Sequence, residues 1–277
     1  MQKWNEVRKL KVKMKPEINK IYEGDAIEIM KKWDDNCIDH AIIDPPYNMS
    51  KKKGLGWAFS NHITMNEKWD TFTRKDYLKF TEQWLQEVSR VVKPNGNIFI
   101  FGSFHNIYDL GFIVNEMDLK ILNSIIWFKP NAQPNITCRM LTESTEQIIW
   151  VCNGKKGEAK NWVFNYEISK RLNGSKQLRN MWQIPYPSQR ERRFGKHPSQ
   201  KPLELISRLV LIATQKDDII LDCFSGSGTT GVVAQSFGRR WIMIEKNPEY
   251  NEIARKRLKN VRVPYPEQLI ESELELV

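Results

Sequence analysis

Short runs of apolar and β-branched residues recur along this chain, separated by segments whose apolar positions follow a helical period. The runs at 19–22, 39–43, 97–101, 121–128, 147–151, 219–221 and 241–244 predict strands. Between 75 and 92, Tyr77, Phe80, Trp84, Leu85, Val88, Val91 and Val92 fall on one helical face. A second amphipathic helix is predicted from Pro202, with Leu203, Ile206, Leu209, Val210 and Ala213 on its apolar side. Strands alternating with helices predict an α/β domain: a mostly parallel seven-stranded sheet with helices on both faces. Two stretches break the alternation. Residues 49–74, with Lys51, Lys52, Lys53, Gly54 and Gly56, read as a long loop. Residues 154–196 have no clean period and carry Trp162, Phe164, Tyr166 and Trp182 among many basic residues. Loops of such length in a compact domain are usually functional, and the second is the natural candidate for a recognition insert.

Composition narrows the class. At 277 residues, 40% hydrophobic and 27% charged, the chain is long enough for a packed core and has the balance of an ordinary soluble protein. No apolar run approaches the ~20 residues that cross a bilayer, so no membrane association is expected. The basic N-terminus lacks the apolar core of a secretory signal. Cys37, Cys138, Cys152 and Cys223 are scattered, which fits a reducing compartment and excludes a disulfide scaffold or a zinc ribbon. A cytoplasmic protein is expected. The net charge of +10 is unevenly placed: residues 1–15 carry +5, residues 154–201 carry +9, and the rest sum to −4. Two basic segments on a near-neutral body are the footprint of a polyanion binder, although a solubilising surface would give the same count.

Two motifs carry candidate chemistry. In Asp222-Cys223-Phe224-Ser225-Gly226-Ser227-Gly228-Thr229-Thr230 a predicted strand runs into a glycine-rich turn, and a helix opens near Thr229. Glycine there lets backbone approach a ligand at a helix N-terminus. With Gly231 the spacing is GxGxxG, and Glu245 at the end of the next strand suits a ribose diol. Alone, this fits a dinucleotide-binding oxidoreductase equally well. However, too little chain follows Gly226 for the rest of a dinucleotide fold, so the missing strands must lie upstream, in permuted order. Upstream, a predicted strand ends in Asp44-Pro45-Pro46-Tyr47. Two prolines stiffen the turn and end the ladder, holding a carboxylate, a carbonyl and an aromatic plate in one array. That array suits a flat heterocycle with an exocyclic amine. Asp25, Asp44, Gly102, Phe224 and Glu245 all sit at predicted strand ends, which share one edge of a parallel sheet.

DPPY followed far downstream by FSGSGTT resembles the beta class of S-adenosylmethionine-dependent DNA amino-methyltransferases, in which the catalytic motif precedes the cofactor motif. Residues 21–25, ending in Asp25, resemble the family's strand that delivers an acidic residue to the cofactor's adenine. Residues 195–202, GKHPSQKP, resemble its HP[ST]QKP element, and 181–193 resemble the segment before it. The resemblance implies a Rossmann-like methyltransferase fold with circularly permuted motifs. It divides the chain into a basic arm (1–18), a catalytic half (19–153), a target-recognition insert (154–196), a cofactor half (197–263) and an acidic tail (264–277). It implies S-adenosylmethionine held by Asp25, Asp44, Lys201, Asp222, Phe224, Ser225, Gly226, Ser227, Gly228, Thr229, Thr230 and Glu245. Asp44, Pro45, Pro46 and Tyr47 would act on the exocyclic amine of a base flipped out of duplex DNA. Lys51, Lys52, Lys53, Arg190, Arg192, Arg193 and Lys196 would contact the DNA. Aspartate as the first motif residue points to N6 of adenine, with N4 of cytosine as the alternative.

A homodimer and a cognate restriction enzyme are both compatible with this reading. So, less readily, is an RNA or protein-glutamine methyltransferase, in which the glycine-rich motif usually comes first, or a non-catalytic nucleic-acid binder. His40, His62, His105 and His197 show no ligand spacing, so no metal is expected. No Pro-Cys pair occurs, which removes the nucleophile of C5-cytosine methylation. Cys223 reads as a small packing residue.

Overall fold

The computed structural model describes residues 13–48, 72–135, 138–261 and 263. The expectations at Lys51, Lys52 and Lys53, in the arm through residue 12 and in the 264–277 tail fall outside the described residues. Along the chain run β1 (Lys20–Glu23), α1 (Ala26–Met30), β2 (His40–Ile43), α2 (Arg74–Val91), β3 (Asn97–Gly102), α3 (Ile107–Glu116), β4 (Leu119–Phe128) and β5 (Thr145–Lys155). There follow α4 (Tyr166–Arg171), β6 (Met181–Gln183), α5 (Leu203–Ala213), β7 (Ile219–Asp222), α6 (Thr229–Ser236), β8 (Arg240–Glu245) and α7 (Pro248–Asn260).

The strands form one sheet in the order β1-β8-β7-β2-β3-β5-β4-β6. Every neighbouring pair is parallel except those made by β5, which runs against β3 and β4. Alternate residues sort to opposite faces, as the pleat requires. Ala41, Ile43, Ile98 and Ile100 join the cluster under α1, α2 and α3, built on Met30, Trp84, Leu85, Val88 and Leu110. Ile42, Phe99 and Phe101 join the opposite cluster with Leu205, Leu209 and Val210 of α5 and Val233 of α6. Full burial of each such side chain is worth roughly 1.5–3 kcal/mol, so the two layers clamp the sheet from both sides. Thr73 starts α2 by accepting from the Asp76 amide, and Asn247 starts α7 by accepting from the Glu249 amide.

The sheet has eight strands among the described residues, where seven were predicted. The eighth, β6, comes from the segment read as an insert. At three residues it is too short to show an alternation, and it forms by pairing Met181, Trp182 and Gln183 with Ile126, Trp127 and Phe128. Ile168, Trp182 and Ile184 of the same segment are buried in the α5 cluster. Residues 154–196 are therefore built partly into the edge of the sheet. No helix among the described residues is long and apolar enough to cross a membrane.

Candidate active site

The carboxyl ends of β1, β8, β7 and β2 lie on one edge because these four strands are parallel neighbours. Ligands of open α/β sheets bind outside that edge. A cavity of about 660 Å³ opens there, within the range of small-molecule sites. Its lining includes Asp25 after β1, Asp44 to Tyr47 after β2, Asp222 to Ser227 with Thr229 and Thr230 after β7, Glu245 at the end of β8, and His197 to Lys201. Nearly every residue singled out for catalysis or cofactor binding thus lines one cavity. Gly228 is the exception. It caps α6 with φ of +75°, and a Cβ there would meet the Ala254 Cβ at 2.7 Å, so its task is close packing of the turn on α7.

The glycine-rich turn is tied to its surroundings by backbone. The Gly226 amide donates to Glu245 Oε2 at 2.9 Å, and the Asn247 amide donates to Oε1 at 2.7 Å. Gly226 has φ of +49°, and a Cβ there would lie 2.7 Å from His197 Nε2. His197 is half-buried and edge-on to Tyr250, and desolvation of its ring, helped by Lys201 and Arg257, lowers its pKa to about 3. It stays neutral and serves as the floor of the turn. Beneath it Arg257, fully buried, donates from Nη1 to the Ser227 carbonyl, Ser227 Oγ and Thr229 Oγ1 at 2.8–2.9 Å. Asp222 accepts from the Thr230 hydroxyl at 2.7 Å and the Phe224 amide at 3.2 Å, yet burial raises its pKa to about 7. Phe224 packs on Phe80 and Trp84 of α2. Asp25 caps α1 by accepting from the Glu28 amide at 3.1 Å.

The Asp-Pro-Pro-Tyr turn is pinned from α2, whose Tyr77 hydroxyl donates to the Pro46 carbonyl at 3.1 Å and accepts from Asn106 at 2.9 Å. Lys201 Nζ lies 2.7 Å from Asp44 Oδ2 and 3.3 Å from Glu146 Oε2. Lys129 Nζ lies 3.3 Å from Glu146 Oε1, and the Tyr47 hydroxyl donates to Glu146 Oε2 at 3.1 Å. Two carboxylates and two ammonium groups form a nearly dry, charge-balanced cluster. Burial opposes ionisation of Asp44, Glu146 and Lys201. For Lys201 the two carboxylates win and its pKa is raised. For Glu146 the two lysines win and its pKa is lowered. For Asp44 burial wins, with Glu146 adding to it against the pull of Lys201, and its pKa is raised. Asp44 Oδ1 is buried and has no hydrogen-bond partner. One oxygen of this carboxylate is engaged and the other is free.

Sequence reading missed Glu146, Lys129 and Arg257, and it placed Lys201 with the cofactor alone, whereas its ammonium sits on the catalytic-motif carboxylate. Arg190, Arg192, Arg193 and Lys196 are exposed on the loop that runs into His197. Among the described residues no group of His, Cys, Asp or Glu could hold a metal ion.

Residues 38–256 match the DNA methylase family. The chain belongs to that family. It is 42% identical over 241 residues to the type II methyltransferase M2.MboI of Moraxella bovis, covering 86% of each chain. It is 39% identical over 250 residues to the type II methyltransferase M2.DpnII of Streptococcus pneumoniae, covering 88% of this chain and 92% of that one. Among solved structures it resembles the M1.HpyAVI–SAM complex, with a TM-score of 0.65 and 31% identity over 87% of this chain and 99% of that one. The DNA methylase described here is an S-adenosylmethionine-dependent DNA methyltransferase. The site fits that cofactor on its own geometry: one cavity at the strand ends brings the glycine-rich turn at Ser225–Ser227 together with the acidic side chains of Asp25 and Glu245.

Proposed function

We propose that this DNA methylase methylates N6 of adenine in duplex DNA, with Asp44 and the Pro45 carbonyl accepting the two hydrogens of the exocyclic amine. The observation that carries the reading is the free Oδ1 of Asp44, buried at the cavity while Lys201 holds Oδ2. The amine of a base is a poor nucleophile because its lone pair is delocalised into the ring. Two acceptors localise that pair, and a carboxylate is the stronger of them because its bond to the amine is charge-assisted. Tyr47, whose hydroxyl is fixed on Glu146, presents its ring for stacking on a base rotated out of the helix. Bound S-adenosylmethionine supplies an electrophilic methyl group. Asp25 would hold its adenine amine and Glu245 its ribose hydroxyls, while the turn at Ser225–Ser227 lies along it.

A carboxylate at the first motif position favours adenine over cytosine, because the carbonyl that cytosine presents beside its ring nitrogen would be repelled by it. Residues 154–196 serve as the recognition segment. Exposed Arg190, Arg192, Arg193 and Lys196 reach phosphates beside the cavity mouth, and Lys51, Lys52 and Lys53 add to the basic footprint. A cytoplasmic setting and a cognate restriction enzyme accord with the type II relatives. The decisive experiment is incubation with mixed-sequence duplex DNA and labelled cofactor, followed by nucleoside mass spectrometry. N6-methyladenine is expected, and lost in Asp44→Ala. N4-methylcytosine alone would overturn the base assignment. Turnover of Asp44→Ala within about tenfold of wild type, roughly 1.4 kcal/mol of barrier, would remove Asp44 from the mechanism.

A further inference from the structure

Glu146 lies outside the cavity, directly behind two residues that line it. It is the second residue of β5, on the same side of the strand as Ile148 and Trp150, whose side chains are buried in the α5 cluster. A carboxylate continuing that apolar row at the functional edge of the sheet needs a reason. Its Oε2 takes both the Tyr47 hydroxyl and the Lys201 ammonium, and its Oε1 takes Lys129. Lys201 and Tyr47 also share a face-on contact, with the ammonium 5.2 Å from the ring centroid.

We propose that Glu146 is a positioning residue for methyl transfer, holding Lys201 and Tyr47 so that one oxygen of Asp44 stays free for the target amine. The inference rests on the reading of Asp44 as the amine acceptor. The alternatives open to each group make the point. The Tyr47 hydroxyl already stands within the influence of Asp44, and without Glu146 it would turn to donate there, consuming the acceptor the amine needs. Without Glu146 the Lys201 ammonium has Asp44 as its sole anionic partner among the described residues and can bridge both carboxylate oxygens. In either case the aromatic plate and the acceptor move relative to each other. Glu146 prevents both by offering a second anion on the far side of Tyr47 and Lys201. Lys129 keeps that anion charged and keeps the cluster neutral. Glu146 does not line the cavity, whereas Tyr47 and Lys201 do, so it acts through its neighbours.

The test measures single-turnover methylation of duplex DNA by the full chain at saturating cofactor and DNA. Glu146→Gln leaves Lys129 as a buried unpaired cation and can fail to fold, so the informative variant is Glu146→Gln with Lys129→Met, which preserves charge balance. The expected result is a methylation rate at least tenfold, and up to about a hundredfold, below wild type, the cost of a small misplacement of reacting groups. Affinities for cofactor by calorimetry and for duplex by anisotropy should stay within threefold of wild type. Tyr47→Phe should cost little more in that background than it removes alone, because hydroxyl and carboxylate act as one unit. A rate within tenfold of wild type, a loss confined to binding, or losses that multiply with Tyr47→Phe would overturn the inference. Asp44→Ala run alongside separates the two readings. If Asp44→Ala retains turnover, the acceptor reading fails. If it is inactive while the Glu146 double variant is not, the positioning inference alone fails.

Discussion

Lys201 grips Asp44: the ammonium of the residue just before Pro202 lies 2.7 Å from the carboxylate that ends β2. The pair joins the loop that leads into α5 to the turn that follows β2, two segments far apart in the chain. Both side chains are largely buried, 7% and 20% exposed, so neither charge can fall back on water. A lysine that looks like part of a cofactor element thereby occupies one oxygen of the Asp44 carboxylate and leaves the other, Oδ1, without a partner.

Removing one partner of a buried pair leaves the other uncompensated, which costs about 3–5 kcal/mol. Lys201→Met should therefore melt well below wild type, by on the order of 10 °C for a domain of this size. Adding Asp44→Asn restores the balance, since Lys129 and Glu146 still pair. Thermal melts should show the double variant recovering most of the lost stability while remaining inactive. A double variant as unstable as Lys201→Met would show that packing of the lysine stem, not its charge, supplies the stability.

Asp222 carries a pH signature. Its pKa is raised to about 7 from 3.8, chiefly by burial. Between those values the folded chain keeps a proton that the unfolded chain has lost, so this group's contribution to stability falls as pH rises from about 4 to about 7 and levels off above. His197, lowered to about 3 from 6.5, acts in the opposite sense over nearly the same window, so the wild-type curve alone hides both. The difference between wild type and Asp222→Asn cancels His197. Asparagine keeps an acceptor for the Phe224 amide, and the Thr230 hydroxyl can rotate to accept. Its stability advantage over wild type should be absent near pH 4 and grow to a plateau above pH 7, no larger than about 4 kcal/mol. Urea melts across pH 4–8 would check it, and a flat difference would mean that Asp222 ionises normally in the fold.

The strands and both motifs were legible in the sequence because each depends on local pattern: apolar alternation, two prolines after a buried strand, glycines before a helix. All seven predicted strands exist, with ends moved by no more than a few residues. What was not legible depends on register between distant segments. Lys129 and Glu146 each stand beside the end of a predicted strand and read as ordinary edge charges. They meet because β4 and β5 run antiparallel with Trp127 opposite Glu146. Arg257 lies on a helix that reads as polar and is buried only because its long side chain reaches under the glycine turn to Ser227 and Thr229. β6 was hidden by its length.

Gly226→Ala tests the cofactor turn. Its φ of +49° costs an L-residue about 1–2 kcal/mol, and the new Cβ would sit 2.7 Å from the His197 ring, which Tyr250 holds from the other side. Overpacking adds a further 1–3 kcal/mol or so unless the ring moves. Calorimetry should show cofactor affinity falling at least tenfold. His197→Ala in the same chain should recover part of the stability by opening the floor, without restoring affinity, because the backbone strain remains. Wild-type affinity in Gly226→Ala would show that the turn tolerates a side chain and does not approach the ligand closely.

The basic loop before His197 makes a prediction about salt. Arg190, Arg192 and Arg193 are exposed, and the loop is anchored at its centre: Glu191 Oε2 accepts from the Leu203 amide at 2.9 Å, at the first turn of α5. Arg193 donates to the Arg190 carbonyl at 2.8 Å and lies over the Phe194 ring, which limits how far its guanidinium can wander. An anchored cationic loop beside the cavity mouth is suited to phosphates, and each phosphate contact releases counterions on binding. The slope of log affinity against log salt should therefore flatten by about 0.9 for each arginine lost, or about 2.7 for the triple change to glutamine. None of the three lines the cavity, so cofactor affinity should not move. Anisotropy titrations of duplex DNA between 50 and 300 mM salt, roughly the range over which counterion release is resolved, would measure the slope. A slope unchanged in the triple variant would make these arginines surface charge and place the DNA contacts elsewhere on the basic segment.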